Sequence, residues 1–378
     1  MARLEEICAI NMGQSPDSST YNEDGNGLPF FQGNADFGEI YPAVRMWCSE
    51  PTKIAREKDI LISVRAPIGA LNIANCECCI GRGLAALTVN EDICAQEYLW
   101  HALSGKVDEL NSKGTGSTFK AINKKTLSET EIPLPPIDEQ RKIAAILDKV
   151  SDLIAKRQQQ LDKLDEMIKA RFMEIFGDSE TNTKNWRVLP MSKICSVGSS
   201  KRIYQSEQSS SGVPFWRISD LTSLITTGTV TPELYIPEER YKELKTQGQV
   251  PAPGDILITS RGTLGQCYIV KVNDRFYFQD GMISWLSGYM DGVTPLYISY
   301  LFTMPGFRKQ IDSMQAGSTV AYLSITMIKK LKVMLPDIES QQQFASFVSK
   351  TEKTKTTISR SLEKLETLKK ALMQEYFG

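Results

Sequence analysis

The chain has 378 residues, of which 41% are hydrophobic and 24% are charged, and its formal net charge at pH 7 is −1. This length indicates a globular protein with two or three domains rather than one core. The nearly neutral charge argues against a strongly basic nucleic-acid binder, and the lack of an apolar run of about 18 residues argues against a membrane-spanning helix.

The N-terminal sequence MARLEEICAI lacks the apolar stretch of a secretory signal, and the eight cysteines are expected to be reduced thiols. Both observations predict a cytoplasmic protein without a membrane anchor. The charge is unevenly distributed along the chain. Residues 1–132 hold 12 Lys and Arg against 18 Asp and Glu, whereas residues 178–332 hold 17 against 13.

The first part of the chain, residues 1–132, shows the pattern of a mixed α/β domain. The β-branched runs DILISV (59–64) and LAALTV (84–89) predict strands, and AQEYLWHALS (95–104) predicts a helix. We therefore interpret residues 1–132 as a first globular domain.

Residues 133–177 predict a long helix that follows a proline-rich lead-in. The prolines of IPLPPIDEQ confine the lead-in to an extended conformation, and Asp138 is the predicted N-cap. No proline or glycine follows until Phe176, so roughly 39 residues would form a rod of about 58 Å. Apolar residues recur along it every seven residues, which is typical of a coiled coil.

The second half of the chain repeats the first. Residues 116–177 align with residues 317–378 at a constant offset of 201, and KDILISVRAPIGA (58–70) matches GDILITSRGTLGQ (254–266). The strand patterns DILITS (255–260) and CYIVKV (267–272) and the helical pattern PLYISYLFT (295–303) lie in this half. The repeat predicts a second globular domain at 178–332 and a second long helix with its proline lead-in at 333–378.

Each long helix has an apolar seam that needs a partner, and one partner lies on the same chain. The expected packing residues are Leu147, Ile154, Leu161, Leu164, Ile168, Ile358, Leu362, Leu365 and Leu372. Separate partners or a homo-oligomer are the alternative, but a dimer of identical helices would face Arg157 against Arg157. The predicted fold is therefore α/β (α+β), with two similar globular domains joined by two long antiparallel coiled-coil helices in a pseudo-two-fold internal repeat.

The sequence lacks the motifs of a self-contained DNA-modifying enzyme. The double proline of LPPI (134–137) follows a leucine rather than Asn or Asp, and no G-x-G-x-x-G follows a strand pattern. Cys76, Cys78 and Cys79 form one cysteine group without a second ligand pair, so ordinary thiols are favoured over a zinc site. We expect no catalytic residue, no metal and no cofactor on this chain.

The duplicated layout, the entrance PLPPIDEQRKIAAIL, the heptad helix ending in FMEIFGD and the segment GDILITSRGTLG resemble the specificity subunit of type I restriction–modification enzymes. The resemblance covers essentially the whole chain. It implies that each globular domain is a target recognition domain reading one half of an asymmetric bipartite DNA target. It further implies that the helices set the half-site spacing and bind two modification subunits, which use S-adenosylmethionine, and that restriction subunits can join the complex.

Under this interpretation, the DNA-binding candidates are polar residues on loops. The expected base readers lie where the halves differ: Gln32, Asn34, Arg45, Lys53, Lys201, Arg202, Tyr204 and Arg217. The matched Arg65 and Arg261 follow a strand in each half, and a structural salt bridge, a phosphate contact and a guanine contact all remain open for them. The paired polar turns supply phosphate-contact or helix-capping candidates: Ser117, Thr118, Lys120, Ser318, Thr319 and Tyr322.

Two other functional classes remain as alternatives. A duplicated coiled-coil scaffold that binds only proteins would have the same helices, and exchange of its domains would leave every DNA target unchanged. A stand-alone DNA-modifying enzyme would bind S-adenosylmethionine as the purified chain, which the missing cofactor motifs argue against.

Overall fold

The structure, a computed structural model, describes residues 1–116, 120–315 and 321–378. The chain forms two compact units, of which unit 1 comprises residues 1–159 and 358–378 and unit 2 comprises residues 160–357. The boundaries between the two units fall within the two long helices. The four segments predicted from the sequence have other boundaries, because they were placed where the sequence motifs begin and end. Each unit therefore combines a globular part with the first stretch of one long helix and the last stretch of the other.

Unit 1 contains eleven strands and four short α-helices among its described residues, together with the first part of α5 and the last part of the second long helix. The strands are β1 (Ala2–Arg3), β2 (Cys8–Met12), β3 (Tyr21–Asn22), β4 (Leu28–Phe31), β5 (Trp47–Cys48), β6 (Ile54–Ala55), β7 (Ile60–Ser63), β8 (Leu71–Ile73), β9 (Cys78–Ile80), β10 (Leu84–Val89) and β11 (Glu131–Ile132). The helices are α1 (Leu4–Ile7), α2 (Gln96–Gly105), α3 (Val107–Ser112), α4 (Lys124–Ser128) and α5 (Ile137–Phe176).

Two larger sheets build the globular part of unit 1. One has the order β2-β10-β7-β8 and is antiparallel, and the other has the order β3-β5-β4-β9-β6 with a parallel β4–β9 pair. Strand β7 is buried on both faces: Ile60 and Ile62 pack with Leu99 of α2, and Leu61 packs with Phe31 in a second cluster. This explains its continuous apolar sequence, because successive side chains point to opposite faces of a sheet.

Unit 2 repeats this plan with its own insertions. Its strands are β12 (Arg187–Pro190), β13 (Ser196–Gly198), β14 (Val213–Trp216), β15 (Tyr235–Ile236), β16 (Ile256–Thr259), β17 (Cys267–Ile269), β18 (Tyr277–Phe278), β19 (Ile283–Ser287) and β20 (Lys332–Leu335). Its helices are α6 (Ile218–Thr227), α7 (Glu238–Thr246), α8 (Pro295–Leu301), α9 (Pro305–Ser313) and α10 (Ile325–Lys330), and α11 (Ile338–Phe377) is the second long helix.

The internal repeat predicted from the sequence is confirmed by the strand order. The sheet β13-β19-β16-β17 of unit 2 matches β2-β10-β7-β8 of unit 1, and β14–β18 is a parallel pair like β4–β9. The predicted strands and the predicted helices α2 and α8 are present. The units differ between their matched strands: unit 1 has β5 and β6 there, whereas unit 2 has β15, the counterpart of β5, between helices α6 and α7.

The long helices take part in the core of each unit. In unit 2 they run antiparallel, because Asp165 pairs with Lys355 (2.7 Å) while the Phe172 ring lies 5.3 Å from that of Phe344. In unit 1 the start of α5 and the end of α11 belong to one apolar cluster, in which Leu147 and Phe377 are buried. Of the nine predicted packing residues, Leu147 and Ile168 are buried, and seven are half-buried: Ile154, Leu161, Leu164, Ile358, Leu362, Leu365 and Leu372.

A buried glutamine holds the entrance of each long helix. The Gln140 side chain accepts a hydrogen bond from the Ala95 amide (2.9 Å) and donates to the carbonyls of Ile93 (3.1 Å) and Pro135 (2.8 Å). Its counterpart Gln341 accepts from the amide and hydroxyl of Thr294 (2.9 and 3.0 Å) and donates to two further carbonyls. This explains why the proline-and-glutamine entrance occurs twice.

A tyrosine side chain adds a further hydrogen bond to the segment that precedes the long helix in each unit. Tyr98 donates to the Pro133 carbonyl (2.8 Å) and Tyr297 to the Met334 carbonyl (3.0 Å).

The prediction that Asp138 is the N-cap of the first helix is wrong, because Ile137 is already helical. The amides of Glu139 and Gln140 both donate to the Pro136 carbonyl, so the helix begins directly after the prolines.

Candidate nucleic-acid interface

In unit 1, several strands begin or end at one edge of the sheets, and the predicted base readers lie there. Strands β4 and β9 are parallel, so Gln32 and Gly81 follow their ends side by side. The neighbouring antiparallel strands begin at this edge, directly after Met46 and Lys53; Phe30 donates to the Met46 carbonyl and Ile80 to the Lys53 carbonyl (both 2.9 Å). We call the loop residues at this edge, among them Gln32, Lys53 and Gly81, together with the residues around Arg65, the first polar edge.

Four of the candidates are thus brought to one place by long-range strand pairing. Gln32, Arg45 and Lys53 are exposed, and Asn34 is half-buried in the 3-10 turn Asn34–Asp36. The Asp36 carboxylate accepts hydrogen bonds from the amides of Gln32 (2.8 Å) and Gly33 (3.3 Å). The carboxylate therefore shapes the loop backbone, while the Gln32 side chain remains exposed at the surface.

Arg65 reaches the first polar edge because β7 ends opposite the start of β10, where Ser63 pairs with Leu84. The Val64 amide donates to the Gly83 carbonyl and the Ile122 amide to the Val64 carbonyl (both 2.9 Å), and the Ala66 amide donates to the Lys120 carbonyl (3.0 Å). The side chains of Arg65 and Lys120 are both exposed. Arg65 has no ion-pair partner in the described ranges of unit 1, which weakens the salt-bridge interpretation of that residue.

Unit 2 forms a second polar edge on the same frame. Strands β14 and β18 are parallel, so Arg217 and Gln279 follow their ends, and the Gln279 amide donates to the Trp216 carbonyl (2.9 Å). The segment after β13 crosses this edge, where the Lys201 amide donates to the Tyr277 hydroxyl (2.8 Å). Lys201, Arg202 and Tyr204 are exposed, and Tyr204 is 64% accessible.

Arg261 lies at the second polar edge in the position that Arg65 has in the first. The Ser260 amide donates to the Met282 carbonyl (2.9 Å), and the Leu323 amide donates to the Ser260 carbonyl (3.0 Å), as Val64 and Ile122 do in unit 1. The Arg261 guanidinium lies 5.2 Å from the centre of the Tyr322 ring, a cation–π contact. The contact holds the exposed guanidinium against the ring of Tyr322.

The arginines of the second polar edge differ in whether carboxylate side chains form ion pairs with them. Arg202 pairs with Asp280 (2.8 Å), and Arg217 pairs with Glu233 (2.8 Å) and with a second carboxylate. These hydrogen bonds raise the pKa of both guanidinium groups. A base contact by either arginine would therefore have to share or replace a carboxylate partner.

Four candidates of the paired polar turns, Ser117, Thr118, Ser318 and Thr319, lie outside the described residues. The segments that flank them are described and lie against the matched arginines, as the hydrogen bonds of Ala66 and Leu323 show.

Sequence reasoning missed the turn Gly81–Gly83, which lies at the centre of the first polar edge. Arg82 is exposed there, and its amide lies 3.3 Å from the Ser15 hydroxyl oxygen, which accepts its hydrogen bond. A Cβ atom on Gly83 would lie 2.5 Å from the Gln32 carbonyl oxygen, so the position requires glycine. The paired glycines of GRG after a strand pattern were the available signal.

The thiols show no sign of nucleophilic activation. Burial raises the pKa of four thiols to about 12: Cys8, Cys78, Cys94 and Cys195. Cys78 and its neighbour Cys79 belong to different apolar clusters on the two faces of the sheet, which separates their sulfur atoms. Within the described ranges, the structure contains no group of three His, Cys, Asp or Glu residues able to hold a metal ion.

The two polar edges and their shared frame define a duplicated two-domain protein, and its family follows from comparison. The model of the type I restriction modification DNA specificity domain matches residues 1–166 and 183–367. The chain belongs to this family and contains two copies of its domain. The family predicted from the sequence is thereby confirmed. In the described part of the chain, no helix has the length and apolar character needed to span a bilayer.

Named relatives support the same assignment over parts of the chain. A protein of Methanocaldococcus jannaschii that is named as the type I restriction enzyme MjaX specificity subunit is 43% identical over 180 residues, or 48% of this chain and 42% of the relative. A protein of Haemophilus influenzae that is named as the type I restriction enzyme specificity subunit S.HindORF215P is 27% identical over 252 residues, or 65% of this chain and 62% of the relative. The chain thus spans less than two thirds of the length of these relatives.

Solved structures share the fold over the whole chain. The S subunit of a type I restriction-modification system from M. genitalium aligns with a TM-score of 0.60 at 14% identity, covering 100% of this chain and 95% of the other. A chain from a study of complex assembly and conformational transition in the type I R-M system gives a TM-score of 0.61 at 16% identity, covering 100% and 96%. At these identities the similarity establishes the fold.

Proposed function

We propose that this chain is the non-catalytic DNA specificity subunit of a type I restriction–modification complex. Each polar edge reads one half of an asymmetric bipartite target in double-stranded DNA. The observation that carries this proposal is the pair of edges itself: the backbone frame is the same, while the exposed side chains differ. An unchanged frame with different side chains suits two readers of different base sequences, because bases are distinguished by side-chain contacts.

Within each edge, the matched arginines are proposed to contact phosphates rather than bases. Arg65 and Arg261 are exposed at equivalent backbone positions, and the same residue type in both halves cannot distinguish two different sequences. The residues that differ between the halves are the proposed base readers, among them Gln32 and Lys53 in unit 1 and Lys201 and Tyr204 in unit 2. A phosphate contact weakens binding to all sequences when it is lost, whereas a base contact alters the sequence preference.

The proposed complex supplies what this chain lacks. Two modification subunits bind along the long helices, carry S-adenosylmethionine and methylate adenine, and restriction subunits can join them. This role places the chain in the cytoplasm, where it reaches the chromosome. Because residues 1–132 carry a net negative charge, we expect the isolated chain to bind DNA weakly and the modification subunits to provide most of the phosphate contacts.

Mapping of methylated adenines tests this function. Cells that express the chain with its modification subunits are expected to show methylation at one bipartite sequence, which disappears when the chain is omitted. Replacing residues 1–132 with the equivalent segment of a relative is expected to change one half of the target and leave the other. Methylation that is unchanged by this exchange would refute the proposal and favour a scaffold that binds only proteins.

A second measurement addresses the alternative of a self-contained enzyme. Titration of the purified chain with S-adenosylmethionine, followed by calorimetry, is expected to show no binding. The assembled complex of the chain and its modification subunits provides the positive control in the same titration.

A further inference from the structure

Four lysines surround helix α10 of unit 2 and form a surface that we call the lysine strip: Lys193, Lys329, Lys330 and Lys332. All four are exposed, and within the described ranges of the chain none has an ion-pair partner. Lys193 and Lys329 line a groove of about 530 Å³ together with Ser192 and Ser196. Lys330 and Lys332 line a second groove of about 580 Å³.

The equivalent surface of unit 1 has the same backbone frame. The Leu4 amide donates to the Thr130 carbonyl, and the Met191 amide donates to the Leu331 carbonyl, both at 2.9 Å. Strands β1 and β11 pair antiparallel, as β12 and β20 do. Helices α4 and α10 both have a side-chain N-cap, Asn123 in one and Ser324 in the other.

The charge at the matched positions is reversed. Lys193, Lys330 and Lys332 of unit 2 correspond to Glu6, Glu129 and Glu131 of unit 1, and Lys329 corresponds to Ser128. Since the same frame forms with either charge, folding does not require the lysines. The charge reversal therefore indicates a ligand that contacts unit 2 here and does not contact unit 1 in the same way.

We propose that the lysine strip binds the sugar–phosphate backbone of DNA, independently of sequence and only in unit 2. This inference rests on the proposed function and adds a second contact surface to it. Lysine is a common phosphate ligand and is depleted at protein–protein interfaces. The serine hydroxyl groups in the first groove are also among the side-chain types that contact phosphates.

The position of the strip within unit 2 fits one duplex. Lys193 precedes strand β13 and Lys201 of the second polar edge follows it. The eight positions from Lys193 to Lys201 span at most about 29 Å when fully extended, which is less than one duplex turn of about 34 Å. A duplex read at the second polar edge can therefore extend to the strip. The surplus of positive charge in residues 178–332, with 17 Lys and Arg against 13 Asp and Glu, also favours binding of negatively charged DNA to unit 2.

The test measures DNA affinity of the full chain with its modification subunits at a series of salt concentrations. The probes are a duplex that contains the mapped target and a shuffled duplex of the same length. In the variant Lys329→Gln/Lys330→Gln/Lys332→Gln, the negative slope of log affinity against log salt is expected to become shallower by about 2 to 3, since each phosphate contact contributes about 0.9 to its magnitude. The ratio of affinities for the two duplexes is expected to stay constant, and the corresponding triple Lys→Arg variant is expected to retain the wild-type slope.

The matched control is Lys124→Gln/Lys125→Gln on the equivalent helix of unit 1, which also removes exposed lysines and is expected to leave the slope unchanged. A wild-type slope in the triple Gln variant, or an equal loss in the control, would overturn the lysine strip proposal. Loss of modification-subunit binding with an unchanged slope would also overturn it, because an acidic protein would then be the ligand. A wild-type complex that shows no preference between the two duplexes would refute the proposed function. That result concerns the wild type and not the variants, so failure of the proposed function can be told apart from failure of the lysine strip proposal.

Discussion

The hydrogen-bonded glutamine at the entrance of the second long helix gives a direct test of what holds unit 2 together. Gln341 is 1% exposed, and its side chain makes four hydrogen bonds, two with Thr294 and one each with the carbonyls of Gly292 and Pro336. A typical net contribution is about 1 kcal/mol for each bond, and buried groups left without partners cost more. Gln341→Ala is therefore expected to lower the free energy of unfolding by about 2 to 4 kcal/mol.

The assay is urea denaturation of the full chain, followed by tryptophan fluorescence. The control is Gln342→Ala, because the neighbouring Gln342 is exposed on the same helix turn and its loss is expected to change stability by less than about 0.5 kcal/mol. If Gln341→Ala and Gln342→Ala unfold at the same urea concentration, the glutamine does not hold the helix entrance, and the explanation of the repeated motif is wrong.

Four further predictions follow from the site. Gly83→Ala is expected to displace the Gln32 loop and weaken target binding, because the new Cβ would lie 2.5 Å from a carbonyl oxygen, whereas Gly33→Ala, with open space around it, serves as the control in the same binding assay. Arg65→Ala and Arg261→Ala are each expected to reduce the salt slope of DNA binding by about 0.9 with an unchanged sequence preference, and a changed preference would instead show a base contact. Iodoacetamide at pH 8, followed by mass spectrometry, is expected to label half-buried Cys76 before the four thiols whose pKa is raised to about 12, and faster labelling of those four would contradict their burial. Removal of seven residues from one long helix is expected to change the permitted gap between half-sites in methylation mapping, and an unchanged gap would remove the spacing role of the helices.

The sequence was sufficient to predict the repeat, the long helices and the short buried strands. A seven-residue apolar pattern over roughly 39 residues is a strong signal, because few other structures bury such a seam. The run DILISV predicted a strand, and the structure shows that this strand is buried on both faces, with Leu61 in one cluster and Ile60 in the other. These features depend on local periodicity, which a single sequence displays directly.

The polar edges depend on contacts between distant parts of the chain, which local patterns do not show. The parallel pairs β4–β9 and β14–β18 join strands about 50 to 65 residues apart, and a parallel pairing of this kind has no sequence signature comparable to a hairpin turn. The pairing of Arg202 with Asp280 joins residues 78 positions apart. The sequence indicated polar loops as candidates, but their common location follows from the sheet order.

The helix entrance shows a smaller error with a local cause. Asp138 was a reasonable cap by residue type, yet the prolines already hold the backbone in the required geometry, so the helix starts two residues earlier than that cap implies. The repeated glutamine was visible in the sequence. Two partners of Gln140, Ala95 and Ile93, lie 45 and 47 positions upstream, before α2, and only the folded chain reveals them.

The backbone hydrogen bonds that build the two polar edges join main-chain atoms, so they do not depend on which side chains the loops carry. A gene segment that encodes only one such loop can therefore be exchanged between homologous genes without loss of these bonds, provided that structural residues such as Gly83 and Asp36 are kept. Under the proposed function, new DNA targets can arise from short recombination events of this kind.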